Sequence, residues 1–238
     1  MEGPILVVAA HPDDEVLGAG GVILGTTKEV HILLMTGATS GVRGHNEDGK
    51  PRYWSGNPNL GYKKECESLS ASPYWKNAHK AATLLKAESI QMGGFEDSYF
   101  DKIGILDLTK FVEQAIDRVR PATVITHYPG DLSCDHARTA QAVITACRPK
   151  PGHPVKTILF MEAPSNTEWA LPLTFQPNYF VGINANRKVE VMEEAYKSEM
   201  GGDYHPRSWM ALVHLAYHRG GQVGLLAAEA FMVGRMIR

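Results

Sequence analysis

Ile5-Leu6-Val7-Val8-Ala9-Ala10-His11-Pro12-Asp13-Asp14-Glu15 decides how the rest of this chain is read. Its first half is an apolar run rich in Val and Ile and stopped by a proline, the pattern of a buried parallel strand over residues 4–10. Its second half delivers an imidazole and two adjacent carboxylates to that strand's C-terminal end, where open α/β sheets gather their ligands. His and Asp together are metal ligands, and a spare carboxylate beside them is placed to take a proton from an activated water. The glycine-rich continuation, Gly18-Ala19-Gly20-Gly21, predicts a crossover helix within residues 15–26 that packs close to the strand. It lacks the tight G-x-G-x-x-G of a dinucleotide site.

Working outward, strand and helix signals alternate. Val30-His31-Ile32-Leu33-Leu34-Met35-Thr36 reads as a second strand, 77–85 as a helix and 89–92 as a short strand. Ile105, Leu108, Phe111, Val112, Ala115, Ile116 and Val119 recur with a helical period and form a stripe that faces a sheet. Pro121 ends that helix, and Ala122-Thr123-Val124-Ile125-Thr126 follows as a buried strand. A helix over 135–147, a strand over 155–161, a short strand over 180–183 and helical pieces at 187–200, 206–217 and 224–232 complete the pattern. The alternation predicts an α/β fold, a Rossmann-like mostly parallel sheet flanked by helices, in a single domain spanning 1–238. Residues 37–75 carry Gly37, Gly41, Gly44, Gly49, Gly56, Gly61, Pro51, Pro58 and Pro73 and read as a long lid-like loop. The portion from about 155 to 238 is expected to complete the site.

Two strand-end loops hold matching chemistry. The first offers His11, Asp13, Asp14 and Glu15, and the second offers His127, Asp131, Asp135 and His136. Two imidazoles and one carboxylate make a facial set that leaves positions open for water and substrate. Singly, each element has an ordinary reading: His-Pro as a turn, Asp-Asp as a helix cap. Their joint appearance after two strands favours a metal site.

Composition narrows the function classes. The chain has 238 residues, 44% hydrophobic and 21% charged, with 24 basic against 26 acidic residues and a formal net charge of −2. That balance offers no electrostatic grip for nucleic acid or an anionic membrane. No run approaches the roughly 20 apolar residues of a membrane span. Cys66, Cys134 and Cys147 show no CxxC spacing. With no secretory leader evident, a cytoplasmic location is the expectation.

The stretch Ala10-His11-Pro12-Asp13-Asp14-Glu15-Val16-Leu17-Gly18-Ala19-Gly20-Gly21 resembles the signature of the PIG-L/LmbE family of zinc-dependent N-deacetylases. Asp131-Leu132-Ser133-Cys134-Asp135-His136-Ala137-Arg138 is similar to the family's second motif. Segments at 162–169, 175–180, 205–208 and 228–231 resemble a bacterial branch. The resemblance implies removal of acetyl from an N-acetylglucosamine-type amino sugar or its conjugate. It implies His11, Asp14 and His136 as ligands of Zn2+, with Fe2+ or another divalent metal as alternatives. It implies Asp13 as general base and Asp135 as a carboxylate that orients a ligand, while Glu15 caps or braces the helix. Arg43, His127 and Arg207 become candidates for substrate binding, and the loop aromatics Tyr53, Trp54, Trp75 and Trp169 for stacking on a sugar ring. Family members include oligomers, which leaves a homo-oligomer open.

One position departs from the family pattern. Several members carry a histidine three residues before the last zinc ligand, and this chain has Ser133 there. The proton donor to the leaving amine is then open among His127, His205 and Asp13 itself. Other readings also stay open: an amidohydrolase of a non-sugar N-acyl amine, a scaffold that has lost catalysis, and a non-haem iron oxygenase, since two His and one carboxylate also suit Fe(II).

Overall fold

The computed structural model describes residues 1–38, 73–172 and 174–237. Strands β1 (Ile5–Ala9), β2 (Val30–Ala38), β3 (Ser89–Glu96), β4 (Thr123–His127), β5 (Thr157–Met161), β6 (Tyr179–Gly182) and β7 (Ala228–Met236) form one seven-stranded sheet in the order β3-β2-β1-β4-β5-β7-β6. The first five are parallel, and β7 runs antiparallel between β5 and β6. The helices are α1 (Asp14–Gly25), α2 (Pro73–Leu85), α3 (Ile105–Val119), α4 (Cys134–Ala146), α5 (Ala185–Ala195) and α6 (Trp209–Gly221).

Strand alternation builds two cores from one sheet. Ile5, Val7 and Ala9 of β1 pack with Val16, Leu17, Ala78, Leu85, Met192 and Leu212, which come from α1, α2, α5 and α6. Leu6 and Val8 face the other way onto Leu108, Val112, Ala115 and Val143 of α3 and α4. Because β1 is buried on both faces, all five of its residues are apolar. The chain leaves β1 for β2 and β3 on one side and returns to β4 and β5 on the other. The crevice above the β1/β4 boundary is therefore the topological switch point, the ordinary ligand position of such sheets.

Three readings of the sequence are corrected. Residues 228–236 form strand β7, although Ala227-Ala228-Glu229-Ala230 has helical propensity; burial between β5 and β6 overrides the local preference. The helix expected over 187–200 ends at Ala195, and a separate 3-10 turn occupies Lys197–Glu199. The long loop is shorter at both ends, since residues 37–38 finish β2 and residues 73–75 open α2. Arg43, Tyr53 and Trp54 lie outside the described residues. Among the described residues no helix is long and apolar enough to cross a membrane.

Helix α1 is drawn tightly into this frame. A Cβ at Gly18 would run into the Met161 side chain, and one at Gly21 would lie 2.7 Å from Ile183. A buried ion pair locks its middle: Lys188 Nζ lies 2.8 Å from Glu229 Oε1 and donates to Leu17 O at 2.7 Å. The Glu229 carboxylate accepts from Gly21 N (2.8 Å) and Val22 N (2.7 Å). Removing one partner of such a pair leaves an uncompensated buried charge. We expect Lys188→Met to cost about 3 kcal/mol, and added Glu229→Gln to restore at least about half of it, in urea unfolding. A double variant no more stable than the single one would contradict this account of the pair.

Candidate metal and hydrolytic site

β1 and β4 are paired up to Val8 and Thr126, and the site is built on the residues just beyond the end of each strand. Where the ladder stops, Ala10 N donates to His127 Nε2 at 2.9 Å. That bond places the His127 proton on Nδ1. Burial, reinforced by the nearby His136 charge, pulls His127 down to about 3. His127 is thus a neutral, fully buried ring stacked on His136 at 3.8 Å between centroids and 16° between planes. It supports His136 from behind and presents no surface to a substrate.

His11, Asp14 and His136 converge. Asp14 Oδ2 lies 3.1 Å from His11 Nδ1 and 3.2 Å from His136 Nε2, and it accepts from His11 N at 3.0 Å. Asp14 is fully buried at the first turn of α1. Burial alone would raise its carboxyl, but the His136 charge, with hydrogen bonds from His11 and His136, outweighs that and holds it well below the usual range. Its second oxygen, Oδ1, is buried with no hydrogen-bond partner among the described residues. An orphaned carboxylate oxygen beside two imidazoles is what a divalent cation would satisfy, and one ligand atom from each of the three residues lies within 4.8 Å of the others.

Each imidazole is braced by its own carboxylate. His136 Nδ1 donates to Asp131 Oδ1 at 3.0 Å, which leaves Nε2 turned toward Asp14. Asp131 is fixed in turn by Ser133 N at 3.0 Å and Thr167 Oγ1 at 2.7 Å. Burial would raise Asp131, but the hydrogen bond from His136 holds it below its usual range. His11 Nε2 donates to Asp135 Oδ2 at 3.0 Å, leaving Nδ1 for the cluster. Asp135 accepts from Ser98 N (2.6 Å) and Phe100 N (3.1 Å). Asp135 therefore orients His11, the histidine from the other loop, while Asp131 orients the neighbouring His136. Carboxylates behind ligating histidines fix tautomer and ring orientation. A second grouping, His11 with Asp97 and Asp135, also gathers ligand atoms, with Asp97 Oδ1 3.1 Å from His11 Nε2.

Asp13 stands beside this cluster. Arg207 Nη1 donates to its Oδ2 at 2.6 Å, while Arg207 Nε donates to Ser165 Oγ (2.8 Å) and Pro164 O (3.2 Å). Burial pushes the Asp13 carboxyl well up, against the opposing pull of Arg207. Arg207, a candidate substrate residue from the sequence, here holds Asp13 and the 164–165 turn. Ser133 caps α4, its Oγ accepting from His136 N. His205 Nδ1 accepts from Arg207 N, and its ring meets the edge of Trp169, which is 51% exposed. Trp75 packs against the core from α2.

Sequence reasoning placed Asp131 in the second loop without giving it a partner, and it missed Asp97 and the role of Tyr196. Asp131-Leu132-Ser133 before a helix was the available signal for Asp131, an Asx-type turn that fixes the carboxylate next to the cap. Asp97, one residue past β3, and Tyr196, at the end of α5, reach the site only through tertiary packing.

Fold and site together define a doubly wound α/β protein with a His–Asp–His cluster at its switch point that could hold a metal ion, and a further carboxylate beside it. The family model described as GlcNAc-PI de-N-acetylase, PIG-L, matches residues 6–147. The chain belongs to the PIG-L family. It is 25% identical over 168 residues to a probable N-acetyl-alpha-D-glucosaminyl L-malate deacetylase 2 of Bacillus anthracis, covering 70% of this chain and 69% of the relative. Among solved structures, the N,N'-diacetylchitobiose deacetylase of Pyrococcus horikoshii superposes with a TM-score of 0.70 at 20% identity, covering 97% of this chain and 83% of that one. A 4-carboxy-2-hydroxymuconate hydratase from Pseudomonas putida superposes with a TM-score of 0.63 at 18% identity, covering 98% and 97%. The last two matches establish a shared fold, and one fold carries unrelated chemistries.

The bracing carboxylates yield a test. Asp131→Asn and Asp135→Asn are each expected to weaken metal affinity about 10- to 100-fold while leaving the three ligands in place. Competition with a chelator of known affinity measures this, and unchanged affinity in both variants would remove the two aspartates from the supporting role.

Proposed function

We propose that this chain is a metal-dependent hydrolase that removes the N-acetyl group from an N-acetylglucosamine-type amino sugar or its conjugate, with Asp13 as general base. The observation that carries the reading is the Asp13 carboxylate, buried beside the His11–Asp14–His136 cluster and making no bond to its own helix. The names of the Bacillus and Pyrococcus relatives share a glucosamine-type N-acetyl substrate, which supports the substrate class.

A divalent cation held by His11, Asp14 and His136 supplies Lewis acidity, polarising an acetyl carbonyl and making water a stronger acid. Zinc suits this donor set, and so does ferrous iron. Asp13 takes the proton from the attacking water. Arg207 keeps that carboxylate at one place, because its Nε is anchored on the 164–165 turn while its Nη1 holds Oδ2. Of the three acids the sequence left open, His127 has spent Nε2 on Ala10 N and is fully buried, while His205 accepts from Arg207 N at Nδ1 and packs its ring against Trp169. In this proposal Asp13, already beside the cluster, returns the proton to the departing nitrogen, acting in turn as base and acid.

The test is free-amine release by metal-loaded protein from N-acetylglucosamine, its dimer, its malate and inositol conjugates, and non-sugar N-acetyl amines. Release from a sugar is expected, with kcat at least about 100-fold lower in Asp13→Asn at unchanged metal content. Asp14→Ala and His136→Ala should lose the metal. Release from non-sugar amines alone would overturn the substrate class, and near-wild-type turnover by Asp13→Asn would overturn the base.

A further inference from the structure

Asp13 opens α1 without capping it. Its backbone has φ 119° and ψ −34°, a conformation L residues rarely adopt, and its side chain makes no cap hydrogen bond. An aspartate at this position ordinarily turns its carboxylate onto the N–H groups of the first turn. Here the carboxylate faces Arg207, and the side-chain bond at this helix start is the reciprocal one: Asp13 N donates to Glu15 Oε2 at 3.0 Å. In a capping box a glutamate three residues on reaches back to the cap N–H, and Glu15 does this from two residues on. The other oxygen, Glu15 Oε1, accepts from Tyr196 Oη at 2.7 Å. Glu15 and Tyr196 are both fully buried, and Tyr196 arrives from the end of α5, far along the chain.

We infer that Glu15 and Tyr196 are a positioning pair that holds the positive-φ backbone of Asp13, so that the Asp13 carboxylate is released from helix capping and faces the reaction site. The inference rests on the reading of Asp13 as general base. A plain helix brace would not need this arrangement, since Asp13 could cap α1 with its own side chain in an ordinary backbone conformation. The structure instead leaves the Asp13 carboxylate off α1, pairs the Asp13 N–H with the glutamate two residues on, and anchors that glutamate with a distant phenol. Without Glu15 the Asp13 N–H is buried and unpaired, and strain of about 1 to 3 kcal/mol at a positive-φ residue is no longer held in place. Relaxation to an ordinary cap would then turn the Asp13 carboxylate onto the first turn of α1 and away from Arg207. Without the Tyr196 hydroxyl, Glu15 Oε1 loses its donor and the glutamate is free to turn.

The test compares wild type, Glu15→Ala, Glu15→Gln, Tyr196→Phe and Leu212→Ala. Leu212→Ala opens a cavity in the same core without touching Asp13. Two readouts are taken: amide hydrogen exchange at Asp13 by NMR, and kcat and KM for amine release at measured metal content. Exchange at Asp13 is expected to quicken at least about 100-fold in Glu15→Ala and about 10-fold in Tyr196→Phe, as for a lost buried hydrogen bond. Over the same variants kcat should fall at least about 10-fold, with KM within about 2-fold and metal retained, as for a misplaced general base. Glu15→Gln keeps an oxygen for the Asp13 N–H and should lose less than about 5-fold in kcat. Leu212→Ala should lose stability but keep Asp13 protected. Unchanged Asp13 exchange in Glu15→Ala and Tyr196→Phe, or equal effects from Leu212→Ala, would overturn the pair. Exchange that responds as expected in a protein that releases no amine would uphold the positioning and sink the deacetylase reading instead.

Discussion

The rest of the site depends on one buried carboxylate, Asp14, held at the head of α1 between the imidazoles of His11 and His136. A carboxylate out of water is costly unless charge and donors surround it. The fold supplies them by placing β1 beside β4, so that two strand-end loops separated by more than a hundred residues of chain meet at one point. The helix N-terminus contributes in the same direction, since its exposed N–H groups favour negative charge. Asp131 and Asp135 then fix the two imidazoles, and His127 stacks behind His136 as a neutral plate. Among the described residues, Asp14 Oδ1 and His127 Nδ1 are the positions where this network remains open, and Asp14 Oδ1 belongs to the carboxylate that lies between both imidazoles of the cluster.

Asp13 answers a different constraint. In the proposed role of base its carboxylate must stay off neighbouring backbone donors, yet the residue after a strand-terminal His-Pro sits where a helix wants its cap. Asp13 leaves α1 uncapped and its N–H is held by Glu15, in an unusual backbone conformation. The consequence is a tightly layered arrangement. Arg207 approaches the carboxylate from the 164–165 turn, while Tyr196 and Glu15 hold the backbone from the helical side.

Much of this was legible in the sequence because it is local. The run Ile5–Ala9 is apolar on both faces, so it had to be a central strand, and the polar residues after it had to stand at the sheet's edge. The same logic placed His136 after β4. What could not be read was set by packing between distant segments. Residues 228–236 combine helix-forming Ala and Glu with strand-forming Phe and Val, and only the slot between β5 and β6 makes them a strand. The family resemblance implies Asp135 as a carboxylate that orients a ligand, and only the packing of the first turn of α4 shows that it reaches across to His11. Tyr196 carried no signal beyond an apolar helix face, because its hydroxyl matters only against Glu15.

The superposition with a hydratase at a TM-score of 0.63 shows that this sheet alone does not select a reaction. The reading of this chain rests on which atoms hold the cation, and two groupings share His11. The most direct measurement is a crystal structure of the zinc-loaded protein with anomalous data at the zinc edge. The account predicts the peak among His11 Nδ1, His136 Nε2 and the Asp14 carboxylate. A peak at His11 Nε2 with Asp97 and Asp135, and none beside Asp14, would contradict it.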